Sequence, residues 1–305
     1  MKIFVTGGTG FIGKPLVKLL VDQGHNVYVL TRNAEACQKK SSLLEYVQGN
    51  LKDVYLVSYL FEEIQPQVLI HLAWEGLPDY SQKVSCQNLN YGINIFSIAA
   101  NTGCSTIIST GSCWEYEGRE GKIAETCKLN SSSLFPAVKN SLRLIGKAIA
   151  SENRIKFYWL RLFYVYGPGQ RGTSLIPYLL HTIKDGKTFS INNPNNKNDF
   201  VFVEDVARAI ACVIDTNPDK TTYNVGSGYL TSIKDIIYYL YFLFDIDIEK
   251  QQVADMIQIN SKNQNHKSEA FFSDIFKIRQ YTGWKPDHSI KSGIKIMYDA
   301  FSASQ

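Results

Sequence analysis

Short apolar runs alternate along the chain with longer stretches in which apolar residues recur every three or four positions. The run at residues 3–5 has the β-prone, continuously apolar character of a buried parallel strand. Leu16, Leu19 and Leu20 then follow at helical spacing, and Gly24 ends the stretch. The chain is therefore predicted to open with a strand that leads directly into a helix.

The same alternation continues to about residue 203. Further strands are predicted at residues 26–30, 67–72, 105–109, 156–162 and 200–203, with another strand end at 47–50. Helices are predicted at about residues 85–101 and 137–152. Strands that alternate with helices in this way predict an α/β fold with a doubly wound parallel sheet.

Four glycines, Gly7, Gly8, Gly10 and Gly13, lie between the first strand and the first helix. A strand that turns through glycines into a helix directs backbone N–H groups and the positive end of the helix dipole at one point, and glycine lets the backbone approach a ligand closely. A pyrophosphate fits such a turn. The alternative is a tight turn that binds nothing, but the strand before it and the helix after it favour nucleotide binding.

The composition sets broad limits on the function. With 305 residues the chain can form one large α/β domain, or a large domain with a small lobe. A net charge of +4 with scattered basic residues does not indicate nucleic-acid binding, and the longest apolar run, residues 236–244, is too short to span a bilayer. The six cysteines show no paired spacing, so we expect reduced thiols in a cytoplasmic protein. The histidine spacing suggests no metal site.

Arg32 follows the second predicted strand, at the position that selects between nicotinamide cofactors. An acidic residue there would hydrogen-bond the adenosine ribose, whereas an arginine can pair with a 2′-phosphate. The sequence therefore favours NADP(H) over NAD(H), which stays possible. The alternative is that Arg32 is a solvated loop residue.

By its motifs the chain resembles the extended short-chain dehydrogenase/reductase family, the nucleotide-sugar epimerases, dehydratases and reductases. The matching segments, in the family's order, are TGGTGFIG at 6–13, HLA at 71–73, STGS at 109–112, LRLFYVYGP at 160–168, DFVFVEDV at 199–206, YNVGS at 223–227 and GWKP at 283–286. The resemblance implies a Rossmann-type sheet with a smaller C-terminal substrate lobe. The dinucleotide-binding domain would comprise residues 1–166, completed by 199–226, and the sugar-nucleotide lobe 167–198 and 227–305.

The resemblance also implies a cofactor site. Its residues would be Gly7, Gly10, Phe11, Ile12 and Gly13 at the pyrophosphate, Arg32, Asn50 and Leu51 near the adenosine, and Leu72, Ala73, Trp74, Asn88, Thr110, Lys139 and Phe163 further along the cofactor. Implied substrate-binding residues are Tyr164, Arg171, Leu175, Asn198 and Lys267.

Lys139 lies where the family's catalytic lysine lies, and Ser112 where its hydroxyl residue lies. The family's proton normally moves through a tyrosine four residues before the lysine, but this chain has Phe135 there. A phenyl ring has no proton to give. This is the most informative departure from the family pattern.

Three explanations of Phe135 stay open. Another group supplies the proton, with Ser112, a water, Cys113, Tyr116 or Tyr164 as candidates. Alternatively the protein binds cofactor and ligand without redox chemistry, or the phenylalanine was introduced to trap a complex.

Other departures concern the substrate. The family's 4,6-dehydratases carry an Asp-Glu pair directly after the hydroxyl residue, whereas this chain has Cys113 and Trp114, which argues against dehydration. Asn198 replaces an arginine that often binds the substrate diphosphate. Candidates to substitute for it are Lys197, Arg171, His266 and Lys267, and each could equally be plain surface.

The function expected from sequence is the NADP(H)-dependent reduction of a nucleotide-linked 4-keto sugar. A reductase needs one hydride and one proton, fewer acid/base groups than an epimerase. The alternatives are a nucleotide-sugar epimerase and a non-catalytic NADP(H)-binding protein. The resemblance also suggests a homodimer formed through the helices near Asn88 and Lys139.

Overall fold

The computed structural model describes residues 1–37, 41–130, 132–187, 189–191, 193–246, 257–259 and 270–303. Its centre is a seven-stranded, entirely parallel sheet. The strands are β1 Lys2–Thr6, β2 Asn26–Thr31, β3 Leu44–Gln48, β4 Val68–His71, β5 Thr106–Ser112, β7 Lys156–Leu162 and β12 Thr222–Val225.

The strand order is β12-β7-β5-β4-β1-β2-β3. The direction of the order changes between β1 and β4, and such a switch point leaves a crevice at the carboxyl ends of the strands. The predicted α/β sheet of the Rossmann type is thus confirmed. The sequence-predicted elements agree in kind with the observed ones, and most of them differ from the observed bounds by a few residues at their ends.

Helices cover both faces of the sheet. One face carries α1 Gly13–Asp22, α6 Val203–Thr216 and α8 Phe276–Thr282, and the other carries α2 Val54–Ile64, α3 Gln82–Asn101 and α4 Leu134–Glu152. Each face has its own apolar core, and fully buried side chains such as Phe4 and Ile3 point to opposite faces of β1. This two-sided burial explains the continuous apolar run at residues 3–5 of β1.

A third apolar core lies outside the sheet. It packs α5 Leu175–Lys184, α7 Ile233–Leu243 and α9 Ile290–Ala303 around β8 Tyr164–Tyr166 and β11 Phe200–Phe202. The remaining short strands are β6 Gly121–Ile123, β9 Phe189–Ile191, β10 Lys197–Asn198, β13 Thr231–Ser232, β14 Ile257–Ile259 and β15 Phe271–Ser273.

Two buried aspartates fix loops of the C-terminal part. Asp199 accepts hydrogen bonds from backbone and hydroxyl groups of Ser227 and Ser273. Asp205 accepts from the backbone of Asp287 and His288. These contacts tie segments from residue 227 onward to residues 199–205, which comprise β11 and the start of α6. In the described part of the chain, no helix combines the length and apolar character needed to cross a membrane.

Candidate active site

The glycine turn after β1 has the geometry of a cradle. Gly7 has a φ of +75°, and a Cβ there would lie 2.7 Å from the backbone nitrogen of Ala73. A Cβ on Gly13 would collide with the carbonyl oxygen of Gly7, whereas one on Gly10 would meet only that oxygen, at 3.1 Å. Gly10 therefore faces open space, and the first turn of α1 has no acidic residue. An anion fits this place.

A cleft of about 640 Å³ opens in front of the turn, at the carboxyl ends of β1, β2 and β4. Its lining includes Gly7, Gly10, Phe11, Ile12, Gly13, Arg32, Asn50, Leu51, Leu72, Ala73, Trp74 and Arg171 from the sequence-predicted set. Asn88, Thr110, Lys139 and Phe163 are not part of that lining.

Arg32 lies at the rim of the cleft. Its guanidinium is 3.6 Å from the carboxylate of Glu75, and 71% of its side chain is exposed. An ion pair this exposed is weak, so the guanidinium stays available to an anionic group in the cleft.

Asn88 holds the loop after β4 in place. Its amide nitrogen donates to the carbonyl oxygens of Glu75 (3.0 Å) and Val84 (2.9 Å), and its amide oxygen accepts from the Glu75 backbone (2.7 Å). All of these bonds are internal to the protein. The side chain thus acts on the cleft through the loop rather than by pointing into it.

Lys139 is a buried cation on α4. Its ammonium donates to the carbonyl oxygen of Thr110 at 2.9 Å and lies 4.2 Å from the centroid of the Trp74 ring. Burial lowers the pKa of Lys139 to about 8, although the nearby Glu115 acts in the opposite direction. Burial and the lysine charge together lower the pKa of His71 to about 3, so that imidazole is neutral, and it shares a hydrogen bond with the Thr6 hydroxyl.

Four aromatic side chains form a cluster beside Lys139: Trp74, Tyr80, Trp114 and Phe135. Phe135 is central, with ring-centroid distances of 5.1 Å to Trp74, 4.8 Å to Tyr80 and 5.7 Å to Trp114. Trp74 links the cluster to the cleft because it lines the cleft as well. The indole nitrogen of Trp74 is buried without a hydrogen-bond partner.

Ser112 ends β5 and begins the short 3-10 turn Cys113–Tyr116. Its hydroxyl accepts from the Trp114 backbone at 3.2 Å, and its own backbone donates to Glu115 at 3.0 Å. The buried Glu115 carboxylate also accepts from Trp159 (3.0 Å) and from Arg161 (2.8 Å). The result is a fully paired carboxylate behind the strand ends.

Tyr116 and Cys113 were both candidate proton donors, and the geometry does not support that role. The Tyr116 hydroxyl is buried, donates to Asn224 at 2.8 Å and accepts from Arg161 at 2.7 Å. Burial raises the pKa of Tyr116 and that of Cys113 far above their ordinary values. Both groups therefore stay protonated inside the protein.

The predicted residues of the substrate side lie in several elements. Phe163 is buried and packs on Phe271 (5.9 Å between ring centroids), and Tyr164 begins β8, where burial raises its pKa to about 12. Leu175 is the first residue of α5. Asn198 belongs to β10 and lies opposite Thr231 of the antiparallel strand β13. His266 and Lys267 lie outside the described residues.

Sequence reasoning missed Tyr80 and Glu115. Tyr80 lies in the loop after β4, at the edge of the sheet where ligands bind in parallel α/β folds. The loop has no helical or strand periodicity, so the sequence did not indicate this residue. Glu115 was hidden because it lies near other charged residues, Glu117, Arg119 and Glu120, and charged side chains in such a segment are normally exposed.

Comparisons with known proteins agree on the class. A sequence profile of the NAD dependent epimerase/dehydratase family matches residues 3–226. CDP-abequose synthase of Salmonella typhimurium is 25% identical, with 96% of each chain covered. dTDP-4-dehydro-6-deoxyglucose reductase of Escherichia coli is 24% identical over 96% of this chain and 95% of that one. A solved dTDP-glucose 4,6-dehydratase of Bacillus anthracis, in complex with NAD, superposes with a TM-score of 0.86 at 18% identity, covering 100% of this chain and 97% of that one.

Proposed function

The chain belongs to the NAD dependent epimerase/dehydratase family, and from that premise we propose that it is an NADP(H)-dependent reductase of a nucleotide-linked 4-keto sugar. The observation that carries the reductase assignment is the scarcity of acid/base groups around Lys139. Of the four described aromatic side chains beside Lys139, the two tryptophans and Phe135 carry no acid/base group. The nearby carboxylate of Glu115 is buried and paired with Arg161.

The cleft fits a dinucleotide. Gly7 and Gly13 leave no room for a Cβ and Gly10 faces the open cleft, so the backbone can approach a pyrophosphate. Leu51, Leu72 and further apolar residues line the adjoining walls. When bound, a reduced nicotinamide supplies the hydride.

NADP(H) is proposed over NAD(H) on the position and exposure of Arg32. Its guanidinium can give paired hydrogen bonds to a 2′-phosphate, and no aspartate or glutamate stands at the end of β2. The solved relative binds NAD, so the preference is a property to be measured on this chain.

Lys139 provides positive charge near the carbonyl to be reduced. An ammonium held by the Thr110 carbonyl and facing the Trp74 ring is desolvated, and charge acts strongly where water is excluded. It favours negative charge developing on a sugar oxygen. Ser112 offers a hydroxyl at the neighbouring strand end.

Dehydration is disfavoured, although the solved relative is a dehydratase. Protonation and deprotonation across a sugar ring need free carboxyl groups. Here Cys113 is buried, Trp114 carries no acid, and Glu115 is paired with Trp159 and Arg161.

The sugar nucleotide is proposed to bind between the sheet and the C-terminal lobe, residues 167–198 and 227–305. Arg171 supports this placement because it lines the cleft from that lobe and is exposed. The Escherichia coli relative is by its name a reductase of a 4-keto sugar carried on dTDP, which supports the substrate class.

The test is spectrophotometric. The protein is mixed with NADPH and 4-keto-6-deoxyglucose carried on dTDP, CDP or UDP, and nicotinamide absorbance is followed. Steady oxidation with formation of the 4-hydroxy sugar is expected. Isomerised sugar without net oxidation would identify an epimerase, and coenzyme binding with neither outcome would identify a non-catalytic binding protein.

A further inference from the structure

The reduction proposed above needs a proton donor, and Phe135 cannot be one. Lys139 and Trp74 both adjoin the Phe135 ring, so a donor beside that ring would lie close to the buried cation. Two protonated groups of the neighbouring 3-10 turn, Tyr116 and Cys113, are buried, and the Tyr116 hydroxyl is already hydrogen-bonded on both sides.

Tyr80 is the cluster member with a dissociable proton. Its ring packs against Phe135 at 4.8 Å and against Trp114 at 5.5 Å between centroids. Tyr80 is 37% exposed, and within the described part of the chain its carbonyl takes part in a hydrogen bond whereas its hydroxyl does not. A phenol in this position is free to bind a ligand oxygen on one side and to exchange its proton with water.

The loop that carries Tyr80 is well anchored. The Tyr80 carbonyl accepts from the Ser85 hydroxyl at 3.2 Å, and Asp79 accepts from the Ser81 backbone at 2.7 Å. Asn88 holds the start of the same loop at Glu75. The loop also forms part of the cleft wall, from Trp74 to Leu77. A site residue needs this kind of support if its hydroxyl is to stay in register with a ligand.

On this basis we infer that Tyr80 is the general acid of the reaction, supplying from the loop after β4 the hydroxyl that Phe135 lacks. The inference rests on the proposed reductase function. As the carbonyl carbon of the sugar accepts a hydride from reduced coenzyme, the carbonyl π electrons pass to its oxygen. The O–H bond of Tyr80 breaks, and its proton forms the new sugar hydroxyl. The Tyr80 phenolate then regains a proton from solvent, which its partial exposure permits.

The test compares four proteins: wild type, Tyr80→Phe, Tyr80→Phe combined with Phe135→Tyr, and Tyr55→Phe. Tyr55 is a matched control because it is 90% exposed on α2, away from the cluster. Loss of a general acid is typically worth about 10²–10⁴-fold. We expect Tyr80→Phe to lower kcat by at least about 100-fold, with the NADPH dissociation constant and Tm unchanged.

The double variant separates chemistry from packing. If the cluster needs one hydroxyl and either ring can carry it, the kcat of the double variant should be at least about tenfold higher than the kcat of Tyr80→Phe alone. Tyr55→Phe is expected to leave kcat unchanged. Wild-type kcat retained within about threefold by Tyr80→Phe would overturn the inference while leaving the reductase function intact.

A second readout does not depend on turnover. In protein labelled with 13C at the tyrosine Cζ, the Tyr80 signal is identified by its absence in Tyr80→Phe. Addition of dTDP-glucose, CDP-glucose or UDP-glucose, each with a 4-hydroxyl, is expected to shift that signal and leave the Tyr55 signal in place. If no nucleotide sugar that binds moves the Tyr80 signal, Tyr80 does not face the sugar. Absence of wild-type turnover would overturn the reductase function, and the NMR result would still decide whether Tyr80 faces the ligand.

Discussion

The Lys139 ammonium lies 4.2 Å from the centroid of the Trp74 ring. Trp74 also lines the cleft. No carboxylate within the described ranges lies at ion-pair distance from the ammonium. The cation is held by one carbonyl, that of Thr110, and by an aromatic face. This arrangement desolvates the charge without neutralising it.

The first prediction concerns the titration of Lys139. Burial lowers the pKa of this lysine from 10.5 to about 8, so its NMR signal in 13Cε-lysine-labelled protein should titrate near pH 8. Because the ammonium is the form that favours charge on a sugar oxygen, kcat should fall as pH rises above about 8. Lys139→Met identifies the signal and should lose most of the activity. A midpoint above pH 10 would contradict the burial argument.

The same shift has a consequence for stability. Between pH 8 and 10.5 the unfolded chain keeps the Lys139 proton that the folded chain has released. Stability therefore rises with pH across this window as far as this group is concerned. In Lys139→Met that contribution is absent, so the difference in free energy of unfolding between wild type and variant should change through the same window.

The second prediction concerns cofactor choice. Arg32→Gln should weaken NADPH binding by about tenfold and should leave NADH binding unchanged. The expected loss is at the low end for a charged hydrogen-bonding pair, because the Arg32 side chain is exposed. Fluorescence titration with each coenzyme measures both constants. Arg154→Gln, an exposed arginine in the turn after α4, is the control and should change neither. Equal losses for NADPH and NADH in Arg32→Gln would show that the 2′-phosphate does not contact this residue.

A third prediction concerns the buried ion pair of Arg161 and Glu115. Their side chains are 3% and 0% exposed, and removal of one partner leaves an uncompensated charge. Arg161→Met should lower the free energy of unfolding by about 3–5 kcal/mol, measured by urea denaturation. Lys18→Met breaks the surface ion pair of Lys18 with Asp22, whose side chains are 79% and 57% exposed. Because solvent screens a pair this exposed, the variant should leave the free energy of unfolding nearly unchanged. Similar losses in the two variants would contradict a structural role for the buried pair.

The fold was predictable because its signals are local. The strand at residues 156–162 was predicted with the observed bounds, since four consecutive apolar residues, 157–160, form its centre. The helix predicted from residue 137 begins at Leu134, because Pro136 fits the first turn, where backbone N–H groups need no intrahelical acceptor. The strand predicted at 105–109 is observed as Thr106–Ser112, since pairing with β7 carries it three residues further.

The site was predictable only in part, because its decisive contacts join distant segments. The glycine turn and Arg32 follow directly from a strand and its end. Arg161 and Glu115 are 46 residues apart, and neither sequence segment indicates the other. Tyr80 meets Phe135 only because α4 and the loop after β4 converge over Lys139.

The most direct test of the account is calorimetric titration of NADPH and NADH into wild-type protein and into Gly10→Ala. A Cβ at Gly10 meets only one protein atom within 4 Å, at 3.1 Å, so the variant should keep its fold and Tm, yet its methyl group would occupy the place of the pyrophosphate. We expect one binding site in wild type, with NADPH bound more tightly than NADH, and binding weakened by at least about 100-fold in Gly10→Ala. Failure of the wild-type protein to bind either coenzyme would contradict the proposal that the glycine turn holds a nicotinamide coenzyme, and with it the reductase function.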